Sequence, residues 1–178
     1  YAEVSKKLFV EGKHKYSLEI ADLITSEETA TEHHALLCEM NIKYAINNRI
    51  LDIDALLNPV TKQWYKLAGN TFNYGADSPE EIKSRFLDKI IDAYIVIANS
   101  FAKENNMKKY DKALQLAIKN IEHVSVTDEL NYNWDDVYYC EFYIKIAKDL
   151  MRHGYLEESN KLVEKVLGIT SSSNLTDI

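Results

Sequence analysis

His34 and Cys38 stand four residues apart, on one face if the segment is helical, with Glu32, His33 and Glu39 beside them. Imidazole and thiolate are zinc ligands, but zinc sites use three or four ligands and no further one follows at a recognisable spacing. The expectation is a capped, partly exposed helix start, and no metal or other cofactor is assigned. Asp135-Asp136 could chelate a diphosphate-bound cation, yet the position three after Asp136 is Tyr139 and not an acid. Acids in a first helical turn complement the helix dipole and need no other role. The chain contains no GxGxxG, GxxxxGK, GxSxG or HExxH, so phosphate cradles, a nucleophile elbow and the common zinc-hydrolase motif have no support.

The aromatic residues carry more information. There are 12 tyrosines, and Tyr132, Trp134, Tyr138, Tyr139 and Tyr143 crowd one short segment. Tyrosine and tryptophan bury a large area while keeping a hydrogen-bonding tip, which suits them to interfaces as well as to cores. Tyr138, Tyr139 and Phe142 cannot all face the same side of one helix, so at least one is expected to point at a groove or a partner. Together with Tyr94 and the acids Asp88, Asp92, Asp135 and Glu141, these residues and Trp134 form the candidate binding set. Its charge suits a protein or peptide partner with basic side chains.

Such residues have to be held by helices. Apolar residues recur every three or four positions, and no alternating β-branched run is long enough for a strand, so the fold class is all-α. Val4 and Leu8 mark the inner stripe of a first helix stopping near Gly12. Leu18, Ala21 and Ile24 mark a second, and Leu36, Leu37, Met40 and Tyr44 a third that ends near Asn47-Asn48. Asn58-Pro59 is expected to divide two short helices, because proline disfavours helix in the residue before it. Gly69 to Asp77 reads as a loop. Ser78-Pro79-Glu80-Glu81 is a capping box, opening a helix predicted to run unbroken to about Glu104. Its two stripes, one through Phe86, Ile90, Ala93, Ile97 and Phe101 and one through Leu87, Ile91, Tyr94 and Ala98, require neighbours on more than one side. Tyr110, Ala113, Leu114, Ala117 and Ile121 define its antiparallel partner. Helices from about Trp134 to His153 and from Gly154 to about Leu167 follow. The reading is one domain over 1–170 with a disordered tail at 171–178.

Three of these helix pairs share a pattern. Gly12-Lys-His-Lys-Tyr-Ser17 and Gly154-Tyr-Leu-Glu-Glu-Ser159 place a small residue five positions after a turn glycine, and Lys108-Lys-Tyr-Asp-Lys-Ala113 repeats the spacing with Lys for Gly. A tight turn folds the second helix back, and a small residue near its start lets two backbones approach. The pattern resembles the tetratricopeptide repeat, whose turn reads glycine, any residue, aromatic, two residues, alanine. It covers about two-thirds of the chain. Serine replaces alanine in two units, Ala113 and Ser159 lie 46 apart where the family repeat is about 34 residues, and Asn48 to Gly75 fits no unit. The resemblance implies a right-handed array of antiparallel helix pairs, a tetratricopeptide-like α-solenoid fragment whose concave surface holds proteins or peptides.

A net charge of −7 over 178 residues argues against a phosphate-binding surface, so nucleic acid is not expected as a partner. No apolar stretch is long enough to span a bilayer, and no membrane partner is expected. Cys38 and Cys140 lie in apolar helical patterns without a CxxC neighbour and read as buried free thiols in a reducing, intracellular and cytoplasmic setting. The start at Tyr1 reads as a processed or excised piece of a longer protein. The functional expectation is a non-enzymatic interaction scaffold that grips a peptide or partner helix, with self-association possible through uncovered terminal helices. The alternatives are a peptide-sensing module of a larger, bacterial-type regulator and a small all-α enzyme.

Overall fold

A computed structural model of the chain describes residues 1–24, 26–70, 79–128 and 136–173, and every regular element among these residues is an α-helix. In chain order they are α1 (Ala2–Val10), α2 (His14–Ala21), α3 (Glu27–Asn48), α4 (Ile53–Asn70), α5 (Pro79–Ser84), α6 (Leu87–Lys103), α7 (Met107–Asp128), α8 (Asp136–Arg152) and α9 (Leu156–Ser173). They form two compact units, Tyr1–Lys89 and Ile90–Ile178. Trp134, Asp135, the cap residue Ser78, most of the loop expected from Gly69 to Asp77 and 174–178 of the expected tail lie outside the described residues.

Four helix ends close alike. At Gly12, Arg49, Asn105 and Gly154 the chain enters the left-handed region, with φ of 77°, 53°, 57° and 85°. The next amide in each case bonds back five residues, as Lys13 N–H does to the Leu8 carbonyl at 2.9 Å and Tyr155 N–H to Leu150 at 3.0 Å. This is the Schellman closure, which satisfies helix-end carbonyls and turns the chain sharply. The turn before α7 therefore pivots on Asn105, three residues earlier than the sequence pattern implied, and Lys108 lies inside that helix. Asparagine supplies the left-handed conformation there with a side chain attached.

In the first unit α1 packs on α2 and α3 on α4, and α3 also meets both α1 and α2. The inner face of α1 is Ser5 and Phe9; Val4 is 53% exposed and Leu8 half-buried, so the expected stripe is displaced by one residue. The crossing with α2 explains the shift. Ser5 Oγ donates to the Ser17 carbonyl at 2.7 Å, and Ser17 Oγ donates to the Ser5 carbonyl at 2.8 Å. Ser5 Oγ then accepts from His33 Nε2 of α3 at 2.8 Å. Two small hydroxyl side chains let the backbones touch and leave no buried polar atom of the crossing unmatched.

Two other expectations change. α4 runs unbroken through Pro59, with Leu57, Val60 and Trp64 buried on one face. Their burial outweighs the helix bond that proline cannot make. The helix expected from Ser78 to Glu104 is instead divided at Arg85-Phe86, where Phe86 N–H bonds Lys83 at 3.0 Å. The break lets Lys83 reach Asp54 of α4 at 2.8 Å and sets Phe86 edge-on to Trp64.

In the second unit α8 packs on α9 and α7 on α8. Ser159 Oγ donates to the Ala147 carbonyl at 2.9 Å, across the same 12-residue separation as Ser5 and Ser17. Both expected stripes of α6 are buried, as are Tyr110, Ala113, Leu114, Ala117 and Ile121 of α7. α9 continues to Ser173, past the expected end at Leu167. Among the described residues no helix is long and apolar enough to cross a membrane.

Candidate functional site

The residues singled out from sequence fall into two groups. Tyr94, Tyr139 and Phe142 are 1%, 6% and 4% exposed and belong to the core of the second unit. Tyr138 is half-buried and meets the Tyr139 and Phe142 rings edge-on at 5.7 and 4.9 Å. Burial of so wide an arc of α8 accounts for aromatics that no single face could hold. Asp88, Asp92 and Glu141 are exposed. Asp92 pairs with Lys145 at 2.6 Å, a solvated bridge that contributes little to stability.

Polar side chains gather inside the second unit. Asp149 of α8 is 2% exposed. Its Oδ1 accepts from Asn99 Nδ2 of α6 at 2.8 Å, and its Oδ2 from the Tyr110 hydroxyl of α7 at 3.1 Å. Asn99 Nδ2 also donates to the Ile95 carbonyl at 2.9 Å, which orients its amide and leaves Oδ1 to accept from His153 Nε2 at 2.8 Å. Tyr110 stacks on Tyr155 at 5.5 Å and lies 4.8 Å from the His153 ring. Burial, reinforced by the Asp149 charge, pushes the Tyr110 phenol far above its ordinary range and keeps it a donor. Both carboxylate oxygens are bonded, so the cluster fastens three helices together.

In the first unit His33 joins α3 to α1 through Ser5, and His34 bonds within its own helix. His34 is fully buried, not partly exposed as expected, and its Nδ1–H donates to the Ala30 carbonyl at 2.6 Å. Burial holds both His33 and His34 below the usual imidazole range. Cys38 beside them is a buried free thiol pushed up to about 12 by burial. A thiol so far from ionising is a poor nucleophile. Cys140 is likewise buried and outside any disulfide.

The open site lies in the first unit, where α1 to α4 meet around a pocket of about 350 Å³. Phe9 of α1 and Asn41 of α3, 7% and 4% exposed, form its floor. α2 supplies His14, Leu18 and, at the rim, Lys15; α4 supplies Ala55, Leu56 and Pro59. His14 stacks on Phe9 at 4.2 Å and 6° and stands edge-on to Tyr44 at 4.7 Å, which fixes the ring that walls the pocket. Burial lowers the pKa of His14 and favours its neutral form. Behind the wall, Gln63 Nε2 of α4 donates to the Leu18 carbonyl at 2.9 Å and ties α4 to α2.

No family model, curated protein or solved structure matches the chain. The site must therefore be read from its own atoms. Its lining is mostly aliphatic and aromatic, with a few placed polar groups, as in ordinary ligand pockets, and its volume sits at the small end of their range of about 300–1,000 Å³. That is room for one large side chain, and too little for a dinucleotide or an extended cofactor. None of the lining residues belonged to the sequence-derived set, because they come one to three at a time from four helices. The one local signal was Pro59 within an otherwise helical run, which puts an unusual feature on the exposed side of α4.

Proposed function

We propose that the chain is a non-enzymatic interaction module, a tetratricopeptide-like array of helix pairs that holds a peptide segment of a partner protein. The observation that carries this reading is the pocket between α1, α2, α3 and α4, preformed, mostly apolar and sized for a single anchoring side chain. A large residue in such a cavity is the kind of contact that dominates peptide and protein interfaces. The close backbone approaches of Ser5 to Ser17 and of Ala147 to Ser159 support this reading. Buried acid-base groups away from the pocket serve the fold, which supports a binding role. Asp149, His33 and His34 are buried and engaged in bonds between or within helices. The net charge of −7 favours a segment with basic flanks.

Selection from a random-peptide display library against the chain tests this, beside a Leu56→Trp variant that fills the pocket from its own wall. Enrichment of a shared anchor residue on the parent chain, lost on Leu56→Trp with its helical signal intact, supports the reading. Equal enrichment on both proteins moves binding away from the pocket, and no enrichment on either overturns the peptide reading.

A further inference from the structure

In the first unit two side-chain polar atoms are buried without a hydrogen-bond partner among the described residues, Nε2 of His34 on α3 and Oε1 of Gln63 on α4. Each is fixed by what the rest of its side chain does. A carbonyl can only accept, so the 2.6 Å contact with Ala30 puts the proton of the neutral His34 ring on Nδ1 and leaves Nε2 a lone pair. Gln63 Nε2 donates to the Leu18 carbonyl at 2.9 Å, which leaves Oε1 as the other end of the amide. The two side chains are neighbours. Trp64, the next residue of α4, has its ring 6.3 Å from that of His34, and the Gln63 amide is placed to accept from His34 when the ring is cationic. The neutral core thus holds two acceptors together. Moving the ring proton to Nε2 would set a lone pair against the Ala30 carbonyl, and turning the amide over would do the same at Leu18, so neither repairs the mismatch.

An imidazolium repairs it, because both of its nitrogens donate. Of the charged and titratable groups that bear on the ring, Asp22, just after α2, favours the cation, and His33 beside it on α3 opposes a second positive charge. Cys38, one turn along α3, stays a neutral thiol, and Gln63 and Trp64 of α4 carry no charge. Burial opposes the cation most strongly, so a bond to Gln63 offsets part of that cost, and proton uptake needs a medium more acid than an ordinary histidine does.

We infer that His34 and Gln63 form a proton-operated tie between α3 and α4: a proton taken from solvent by His34 Nε2 turns two opposed acceptors into an N–H···O bond to Gln63 Oε1. Gln63 already holds the Leu18 carbonyl, so the protonated tie fastens α2 to the same two helices. Leu18 lines the pocket, whose α2 wall is therefore stiffened by acid. The test is ring and amide nitrogen NMR on the full chain, titrated downward from about pH 8, beside a Gln63→Met variant. Gln63→Met keeps the side chain's length and leaves the Leu18 carbonyl its bond from Asp22 N–H at 3.1 Å, so it is expected to fold. In the parent, both His34 nitrogens are expected to become protonated in acid, with the Gln63 side-chain amide signals moving at the same midpoint. In Gln63→Met that midpoint should fall by about one pH unit, a tenfold loss of proton affinity, for the loss of one hydrogen bond to a charged group. The inference is overturned by an unchanged or higher midpoint in the variant, by a parent Gln63 amide that ignores the His34 midpoint, or by a His34 ring that stays neutral until the chain unfolds. The parent measurement decides by itself if the variant does not fold. None of these outcomes bears on the peptide reading, which the display selection judges.

Discussion

Replacing Tyr110 by Phe removes one oxygen and leaves the ring, its stacking on Tyr155 and its contact with His153 in place. The lost group is the donor to Asp149 Oδ2 at 3.1 Å, inside a region where Tyr110 is 0% and Asp149 2% exposed. A hydrogen bond to a charged group contributes about 1.5–3 kcal/mol, and the value belongs at the upper end here because no solvent can take the donor's place. Asp149 would keep only Asn99 as a partner. Tyr110→Phe is therefore expected to lower stability by about 2–3 kcal/mol. Asp149→Asn is expected to cost less, because the new amide still accepts from Asn99 and can donate to the Tyr110 hydroxyl. Urea unfolding followed by far-ultraviolet circular dichroism, with the slope checked for constancy, gives both values. The double variant completes a cycle in which the pair's coupling should exceed about 1 kcal/mol. If Tyr110→Phe unfolds within about 0.5 kcal/mol of the parent, the claim that Asp149 depends on this donor is wrong.

Ser159→Leu should separate α8 from α9 and cost about 1–3 kcal/mol by overpacking, whereas Ser159→Ala loses only the bond to Ala147 and should cost about 1 kcal/mol or less; similar melting temperatures for the two would count against close helix approach there. His14, His33 and His34 are held below the ordinary imidazole range, burial first among the causes. The unfolded chain thus binds more protons below about pH 6.5, and stability should be full above that pH and fall as the medium is acidified, by up to about 1.4 kcal/mol per pH unit for each histidine. An unchanged urea midpoint between pH 7.5 and 5.5 would refute the assignment. Pro59→Ala restores an N–H to the Ala55 carbonyl and should raise the melting temperature, since interior proline costs a helix about 3 kcal/mol and the freer unfolded chain returns about 1 kcal/mol of that; a lower melting temperature would show that α4 is not strained at Pro59. Gly154→Ala meets no atom within 4 Å, so a loss of about 1–2 kcal/mol on thermal unfolding would come from φ of 85° alone.

What the sequence revealed and what it hid have a common cause. Where burial is apolar, periodicity placed residues correctly: both stripes of α6 and the core positions of α7 are buried as expected. Where a helix meets its neighbour through small polar residues, the same rule failed. α1 turns inward on Ser5, and a hydrophobicity count sees Val4 instead. Asn105 does the work of the turn glycines without being one, so the sequence pattern puts that turn three residues late. Pro59 and the Arg85-Phe86 break were misjudged in opposite directions, because tertiary contacts of Leu57, Trp64, Lys83 and Phe86 decide them. The interface aromatics expected on α8 are largely core. The pocket was not visible at all, since nothing in the types of Phe9, Asn41 or Leu56 marks them as neighbours.

The 12-residue separation of Ser5 from Ser17 and of Ala147 from Ser159 also bears on how the chain reaches this state. Loop-closure entropy rises with loop length, and loops of about ten residues close in roughly 10–100 ns. On closure entropy alone each hairpin meets its own partner about fourfold faster than Lys83 finds Asp54, 29 residues away, and about eightfold faster than Asn99 finds Asp149, 50 residues away. The hairpins are the early, low-contact-order pieces of each unit. The bonds at Asp149 are therefore expected to form late, so that mutations there should speed unfolding while leaving the refolding rate nearly unchanged.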